Sequence, residues 1–170
     1  MYFPILRGRQ FELLALRECV KENVLSNQII PIVEPVKVSS TYIKTIDSFI
    51  EAEKPIAVIR NPQVGSWSKD LKKESNINIS AQFQKQFKAP CVISSFYVTP
   101  ELEKDIRSAI EKGNSIESML LLCNNPEYVD EYENVIGEKK PLYTLIPDRG
   151  DFRRRIRSNR VMCEDHFPKQ

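Results

Sequence analysis

Short apolar runs recur along this chain, with polar or amphipathic stretches between them. They occupy residues 2–6, 29–33, 56–59, 91–93 (continuing towards Val98), 119–122 and 142–146. Each is continuous rather than alternating, the pattern of a strand buried on both faces. Four of the five intervals between run starts are about 27 residues, room for a strand, a loop, a helix and a loop. The interval between the third and fourth runs is longer, about 35, and its extra residues fall in 63–75, a polar stretch that predicts a long loop. The repeat is architectural, with no residue-level internal similarity.

The intervening stretches carry helix signals. Phe11, Leu13, Leu14, Ala15 and Leu16 predict a helix with a broad apolar face. Ser39, Ser40 and Thr41 offer N-caps to a helix whose Tyr42, Ile43, Ile46, Phe49 and Ile50 follow at helical spacing. Thr99-Pro100-Glu101 is a cap, a first-turn proline and an acid; Leu102, Ile106 and Ile110 then repeat every four residues, and Gly113 supplies the stop. Asn125-Pro126-Glu127 repeats the same start.

Alternating strands and helices predict an α/β fold of six mainly parallel strands joined by right-handed crossovers. Two architectures satisfy that pattern. One is an incomplete (β/α) barrel, since a full barrel needs eight strands and about 250 residues. The other is an open doubly wound sheet, which needs only five or six strands and which length alone favours. The α/β domain is expected over 1–150, with 151–170 a basic C-terminal segment that begins a truncated remainder.

Composition narrows the function classes. With 170 residues, 41% hydrophobic and 28% charged, the chain can bury a core without disulfides or metals. A net charge of +2 is uninformative about polyanionic partners, so the distribution of charge matters more than its sum. Cys19, Cys91, Cys123 and Cys163 lie far apart, and Cys91 and Cys123 sit in apolar runs, so both are expected to be buried free thiols. No run approaches the roughly 18 apolar residues of a membrane span, and 1–6 lacks the basic flank of a signal peptide. A cytoplasmic protein with no membrane partner is the expectation.

The first third of the chain also carries a family likeness. It begins Tyr2-Phe3-Pro4-Ile5-Leu6-Arg7-Gly8-Arg9-Gln10-Phe11-Glu12-Leu13, then Ala15-Leu16-Arg17, and later Ile30-Pro31-Ile32-Val33-Glu34-Pro35-Val36. This resembles the beta family proteins, named for a phage protein, and a related bacterial group of uncharacterised proteins. Asn61-Pro62-Gln63-Val64-Gly65 and Pro147-Asp148 look like the same group. The resemblance implies a TIM-barrel-like fold in longer proteins, so that this chain would be a fragment or natural truncation. It implies no activity; a phage or mobile-element association is an expectation by analogy.

In parallel α/β folds ligands bind at the carboxyl ends of the strands. The residues after each run are therefore the candidates: Arg7, Arg9 and Gln10; Glu34; Arg60 and Asn61; Ser94 and Ser95; Cys123, Asn124 and Asn125; Asp148 and Arg149. Glu34, between Val33 and Pro35, is an acid at a buried strand end, a costly position unless paired or functional. A salt bridge with Arg7, Arg9 or Arg60 would account for it without any ligand. Asp148 is the second carboxylate candidate, or else a loop acid capping the next turn. Together the two would allow acid–base chemistry or one divalent metal. Arg7, Arg9, Arg60, Asn61 and Arg149 are the ligand-binding candidates, since arginine forks suit phosphate and carboxylate.

Six arginines, Arg149, Arg153, Arg154, Arg155, Arg157 and Arg160, crowd into 149–160. They are either a solvated surface element or a phosphate-contacting patch for nucleic acid. Cys163 and His166 form a lone CxxH, too few ligands for zinc, and His166 is the only histidine. No Walker or GxGxxG motif occurs. No metal and no cofactor is expected. The leading expectation is a binding or interaction module with a polar pocket at the strand ends, with a protein partner, a second copy or an anionic ligand. The alternatives are an enzyme acting on a phosphate-containing substrate through Glu34 and Asp148, and nucleic-acid binding through 149–160.

Overall fold

The computed structural model describes residues 1–163. The chain forms two compact units, Met1–Ser95 and a second that begins at Phe96. In the first unit β1 (Ile5–Arg7), α1 (Gln10–Lys21), β2 (Ile32–Glu34), α2 (Ser40–Glu51), β3 (Ile56–Ile59), α3 (Trp67–Asp70) and α4 (Ile77–Gln86) lead into β4 (Val92–Tyr97), which runs across the boundary. In the second, α5 (Leu102–Glu111), β5 (Leu120–Leu122), α6 (Val129–Ile136), β6 (Tyr143–Ile146), α7 (Gly150–Arg155) and β7 (Arg160–Met162) continue the alternation.

Within each unit consecutive strands pair in parallel, β1-β2-β3-β4 and β5-β6-β7. The class is α/β, and strands follow one another in chain order, as in a barrel wall. A doubly wound sheet would reverse that order at a switch point. All six expected strands are present. A seventh, β7, lies in the residues set apart above as a basic segment. It pairs in register with β6, Leu145 opposite Val161. Its apolar content, Val161 and Met162 among Arg160, Cys163 and acids, is too short to stand out in the sequence.

The first two strands begin three residues later than their apolar runs for a definite reason. Ile5 pairs with Ile32, which sets Pro4 beside Pro31. Proline has no N–H, so the ladder is interrupted there. Both proline carbonyls still accept, Pro4 from the Ile32 N–H at 2.8 Å and Pro31 from the Ala57 N–H at 2.8 Å. A parallel bridge between Tyr2 and Ile29 resumes the pairing beyond them.

The pleat assigns the strand residues to two faces. Leu6, Val33, Ile56, Val58 and Val92 pack with the helices against Leu13, Leu16, Tyr42, Ile46, Phe49, Trp67 and Phe83. Ile32, Ala57, Ile59 and Ser95 take the opposite face and are also buried. Ser39 caps α2 by accepting the Tyr42 N–H at 3.2 Å. The Thr45 hydroxyl joins α2 to α1 through the Leu13 carbonyl at 3.1 Å. Gln86 on α4 donates to the Ile43 carbonyl at 2.9 Å and to Asp47 at 2.7 Å, fastening α4 to α2.

The second unit has its own core of Phe96, Val98, Leu102, Ile106, Met119, Leu121, Val129, Tyr132, Ile146 and Phe152. The Asn125 side chain accepts the Glu127 N–H at 3.0 Å, the start signal expected there. Cys123 is a buried free thiol, pushed up to about 12 by burial. Cys91 is free but only half-buried, because it precedes β4 instead of lying in it. The 63–75 stretch is not a bare loop: it carries α3 and a one-turn 3-10 helix at Glu74–Asn76. Among the described residues no helix is long and apolar enough to cross a membrane.

Candidate functional site at the carboxyl ends of β1 to β4

Arg7 lies level with Glu34 in the β1–β2 register, and Ile59 lies level with Ser95. Glu34 follows Val33, which is level with Val58, so Glu34 shares a face with Arg7, Ile59 and Ser95. Arg60 is one residue past Ile59, and the pleat turns it the other way, with Val58 and Ser94, toward the helices. This phase difference divides the residues that strand-end counting had placed on one rim. Among the described residues no ion pair joins Arg7, Arg9 or Arg60 to Glu34. Glu34, only 4% exposed, instead accepts the Gln63 backbone N–H at 2.8 Å and so fixes the loop that follows β3.

That loop is tied at its far end as well. The Val36 carbonyl accepts both the Ser66 N–H at 2.8 Å and the Trp67 N–H at 3.1 Å. Gly65 between these ties has φ +77°, and an added Cβ would lie 2.1 Å from the Val36 carbonyl oxygen. Trp67 then enters an aromatic group, its ring 4.9 Å from Tyr42 and 4.8 Å from Phe83. Phe87 extends that group, 4.6 Å from Phe83.

Arg60 stands at the start of this loop. Its guanidinium lies 3.8 Å over the Phe87 ring and donates to the Ser94 hydroxyl at 3.3 Å. It forms no ion pair among the described residues. Burial lowers its pKa to about 10, and the neighbouring Tyr42 hydroxyl opposes that shift. The unfolded chain holds this proton more tightly, so the penalty is fully present below about pH 10 and is relieved above it.

Tyr42 is the second unmatched group. It is 0% exposed, its hydroxyl has no hydrogen-bond partner among the described residues, and burial raises its pKa while the Arg60 charge lowers it. Gly8, which ends β1, lies directly against the same ring, where a Cβ would be 3.3 Å from two of its carbons. A buried hydroxyl without a partner costs about 1–3 kcal/mol. Tyr42→Phe is therefore expected to raise stability by about 1 kcal/mol, read as a higher urea midpoint. An equal loss would mean that the hydroxyl is satisfied in solution.

The remaining candidates are placed as follows. Arg7 and Arg9 are exposed at the end of β1, and Asn61 is half-buried at the start of the loop. Asp148 pairs with Arg153 at 3.1 Å and Arg149 with Asp151 at 2.7 Å. Arg155 pairs with Asp130 at 2.5 Å and with Glu133, and these two acids hold its charge above the ordinary arginine range. The Arg157 and Arg160 side chains donate to the carbonyls of Arg154 and Arg153, at 3.0 and 2.6 Å. Arg154 is exposed. Much of the cationic run is thus spent on neighbouring acids and helix-end carbonyls. Among the described residues no three His, Cys, Asp or Glu side chains gather to hold a metal. The CxxH lies partly outside them, at His166.

Sequence reasoning missed Tyr42, Gly65 and Trp67. Tyr42 fell at a core position of its helix, where a hydroxyl is invisible to an apolar count. Comparison of the chain with protein families, with curated proteins and with solved structures returned no match.

Proposed function

We propose that this chain is a binding module that takes a small oxyanion at the carboxyl ends of β1 to β4, with Arg60 as the principal contact. The observation that carries this reading is a half-buried guanidinium held by an aromatic ring and one serine hydroxyl, with no carboxylate against it among the described residues. Burying a charge without a counter-charge is costly. An anion offered to that fork would recover the cost as a charge-assisted, bidentate contact.

The rival readings have less support. Enzymatic use of Glu34 and Asp148 would draw on two carboxylates already engaged, by the Gln63 N–H and by Arg153. Nucleic-acid binding through 149–160 would draw on arginines largely tied to acids and carbonyls. Membership in the beta family, with its phage or mobile-element association, belongs to this proposal on the strength of the N-terminal residues alone.

The test is thermal denaturation of wild type and Arg60→Met in rising phosphate and sulfate at constant ionic strength. A ligand that binds only the folded state raises Tm by mass action. Wild type is expected to respond, with a response that fades above about pH 10 as Arg60 loses its proton. Arg60→Met keeps the stem and the contact with Phe87, and is expected to fold and not respond. Equal responses from both proteins would reject the proposal, as would no response from wild type.

A further inference from the structure

A groove of about 310 Å³ lies between α2 and α4 in the first unit. Asp47, Ile50 and Glu51 line it from α2, and Gln82, Lys85 and Gln86 from α4. Asp47 and Glu51 are one helical turn apart, as are Gln82 and Gln86, so each pair shares a face of its helix. Ile50 and, just past α4, Ala89 are half-buried and give the groove its apolar part.

Two things in this groove are unbalanced. The first is charge. Neither Asp47 nor Glu51 forms an ion pair among the described residues, although Lys85 lines the same groove. Asp47 instead accepts two neutral amides, from Gln86 at 2.7 Å and from Gln82 at 3.2 Å. The second is a hydrogen bond. Gln86 is 4% exposed, and its side-chain nitrogen donates both to Asp47 and to the Ile43 carbonyl at 2.9 Å. Two acceptors around that atom identify it as the nitrogen, so the amide cannot be turned over. Its Oε1 is left buried with no partner among the described residues. The groove thus lacks one kind of group, a cation that donates hydrogen bonds.

We propose that the groove binds a small alkylguanidinium, its planar fork on Asp47 and Glu51, one further N–H on the Gln86 Oε1, and its alkyl part against Ile50 and Ala89. A guanidinium carries five N–H donors and no acceptor, so each of these oxygens is a partner for it. A bare metal ion would meet the oxygens and leave the apolar part empty. A volume of about 310 Å³ is at the small end of ligand pockets, which suits a small molecule over a polypeptide. The Gln86 Oε1 lies beneath the surface. Gln82, exposed and held to Asp47 by the longer of the two amide bonds, turns aside as the ligand enters. The site stands apart from the oxyanion reading and does not depend on it.

The probes are n-butylguanidinium and butyltrimethylammonium, titrated by calorimetry at constant ionic strength. They share charge and alkyl chain, and only the first has N–H donors. Wild type is expected to bind the guanidinium about ten-fold tighter than the quaternary ammonium. Asp47→Asn should weaken guanidinium binding about ten-fold. Glu51→Gln, a change at an exposed side chain, is expected to fold as wild type does and to weaken it about three-fold. Lys85→Gln removes a competing cation and should tighten it about three-fold. Equal binding of the two cations would reduce the groove to a diffuse charge effect and overturn the proposal. So would no binding by wild type, or an unchanged affinity in both carboxylate variants. If the peptide acetyl-Gly-Arg-Gly-amide binds and n-butylguanidinium does not, the occupant is an arginine of a protein partner and the small-ligand proposal is rejected.

Discussion

Replacing Gly65 by alanine is expected to cost about 4 kcal/mol, the largest effect of any single methyl added to this chain. Two causes act together. The residue sits at φ +77°, where an L side chain is strained by about 1–2 kcal/mol. In addition the new Cβ would lie 2.1 Å from the Val36 carbonyl oxygen and 2.7 Å from a Val36 methyl. The first of these neighbours is backbone and cannot rotate away. Relief requires the loop to lift from the end of β2, which breaks the Ser66 and Trp67 hydrogen bonds to that same carbonyl. Overpacking of this kind adds about 1–3 kcal/mol. Gly113 is the control, with φ +91° but nothing within 4 Å of its Cβ position. Gly113→Ala should therefore cost only the conformational part, about 1–2 kcal/mol. Urea melts of both variants measure the difference. Equal losses would show that the close approach at Val36 is absent in solution.

The alternation of strands and helices was legible because it depends on hydrophobic periodicity, which a single sequence carries. The places where the fold departs from that pattern have local causes. Pro4 and Pro31 are apolar, so they extend their runs by composition while interrupting the ladder by chemistry. Phe11 is apolar too, but it lies off the stripe that Leu13, Leu16 and Val20 define. β7 escaped because a three-residue strand beside arginines has no run to count.

The candidate site was legible as a position and not as a geometry. Strand-end counting set Arg7 and Glu34 at the ends of β1 and β2 and Arg60 just past β3, whereas Ser94 lies inside β4. It could not tell that Arg60 sits one residue out of phase with Glu34, and a single residue reverses the face. The expected ion pair between them fails for that reason. Glu34 found a backbone N–H in a loop whose path the sequence does not specify, and Arg60 found an aromatic ring from α4. Tyr42 and Trp67 became part of the site only through packing between α2 and α3, elements 25 residues apart in sequence by the numbers of those two residues.

Trp67→Ala should be the most damaging truncation in the first unit. The side chain is 2% exposed and contacts two other rings, Tyr42 at 4.9 Å and Phe83 at 4.8 Å in an edge-on arrangement. Removing a buried tryptophan costs about 3–5 kcal/mol, from lost transfer energy and from the cavity left behind. For a chain of this length that corresponds to a fall in Tm of about 10 °C. The cost has a second part specific to this site. Trp67 is the anchor of α3, a helix of four residues that could not persist alone. Its other ties to the sheet end include the Ser66 and Trp67 N–H bonds to Val36 and a hydrogen bond from the Val38 backbone to Asp70. Without the indole the loop from Asn61 to Ser66 should open, and Arg60, which begins it, should lose the ring contact that holds it. Trp67→Ala is therefore expected to weaken oxyanion binding as well as stability, whereas Trp67→Phe should restore most of both by refilling the aromatic group. The comparison is made by thermal melts and by phosphate titration of all three proteins. An alanine variant that melts within about 2 °C of wild type would mean that Trp67 contributes little packing, and that the loop is held by backbone bonds alone.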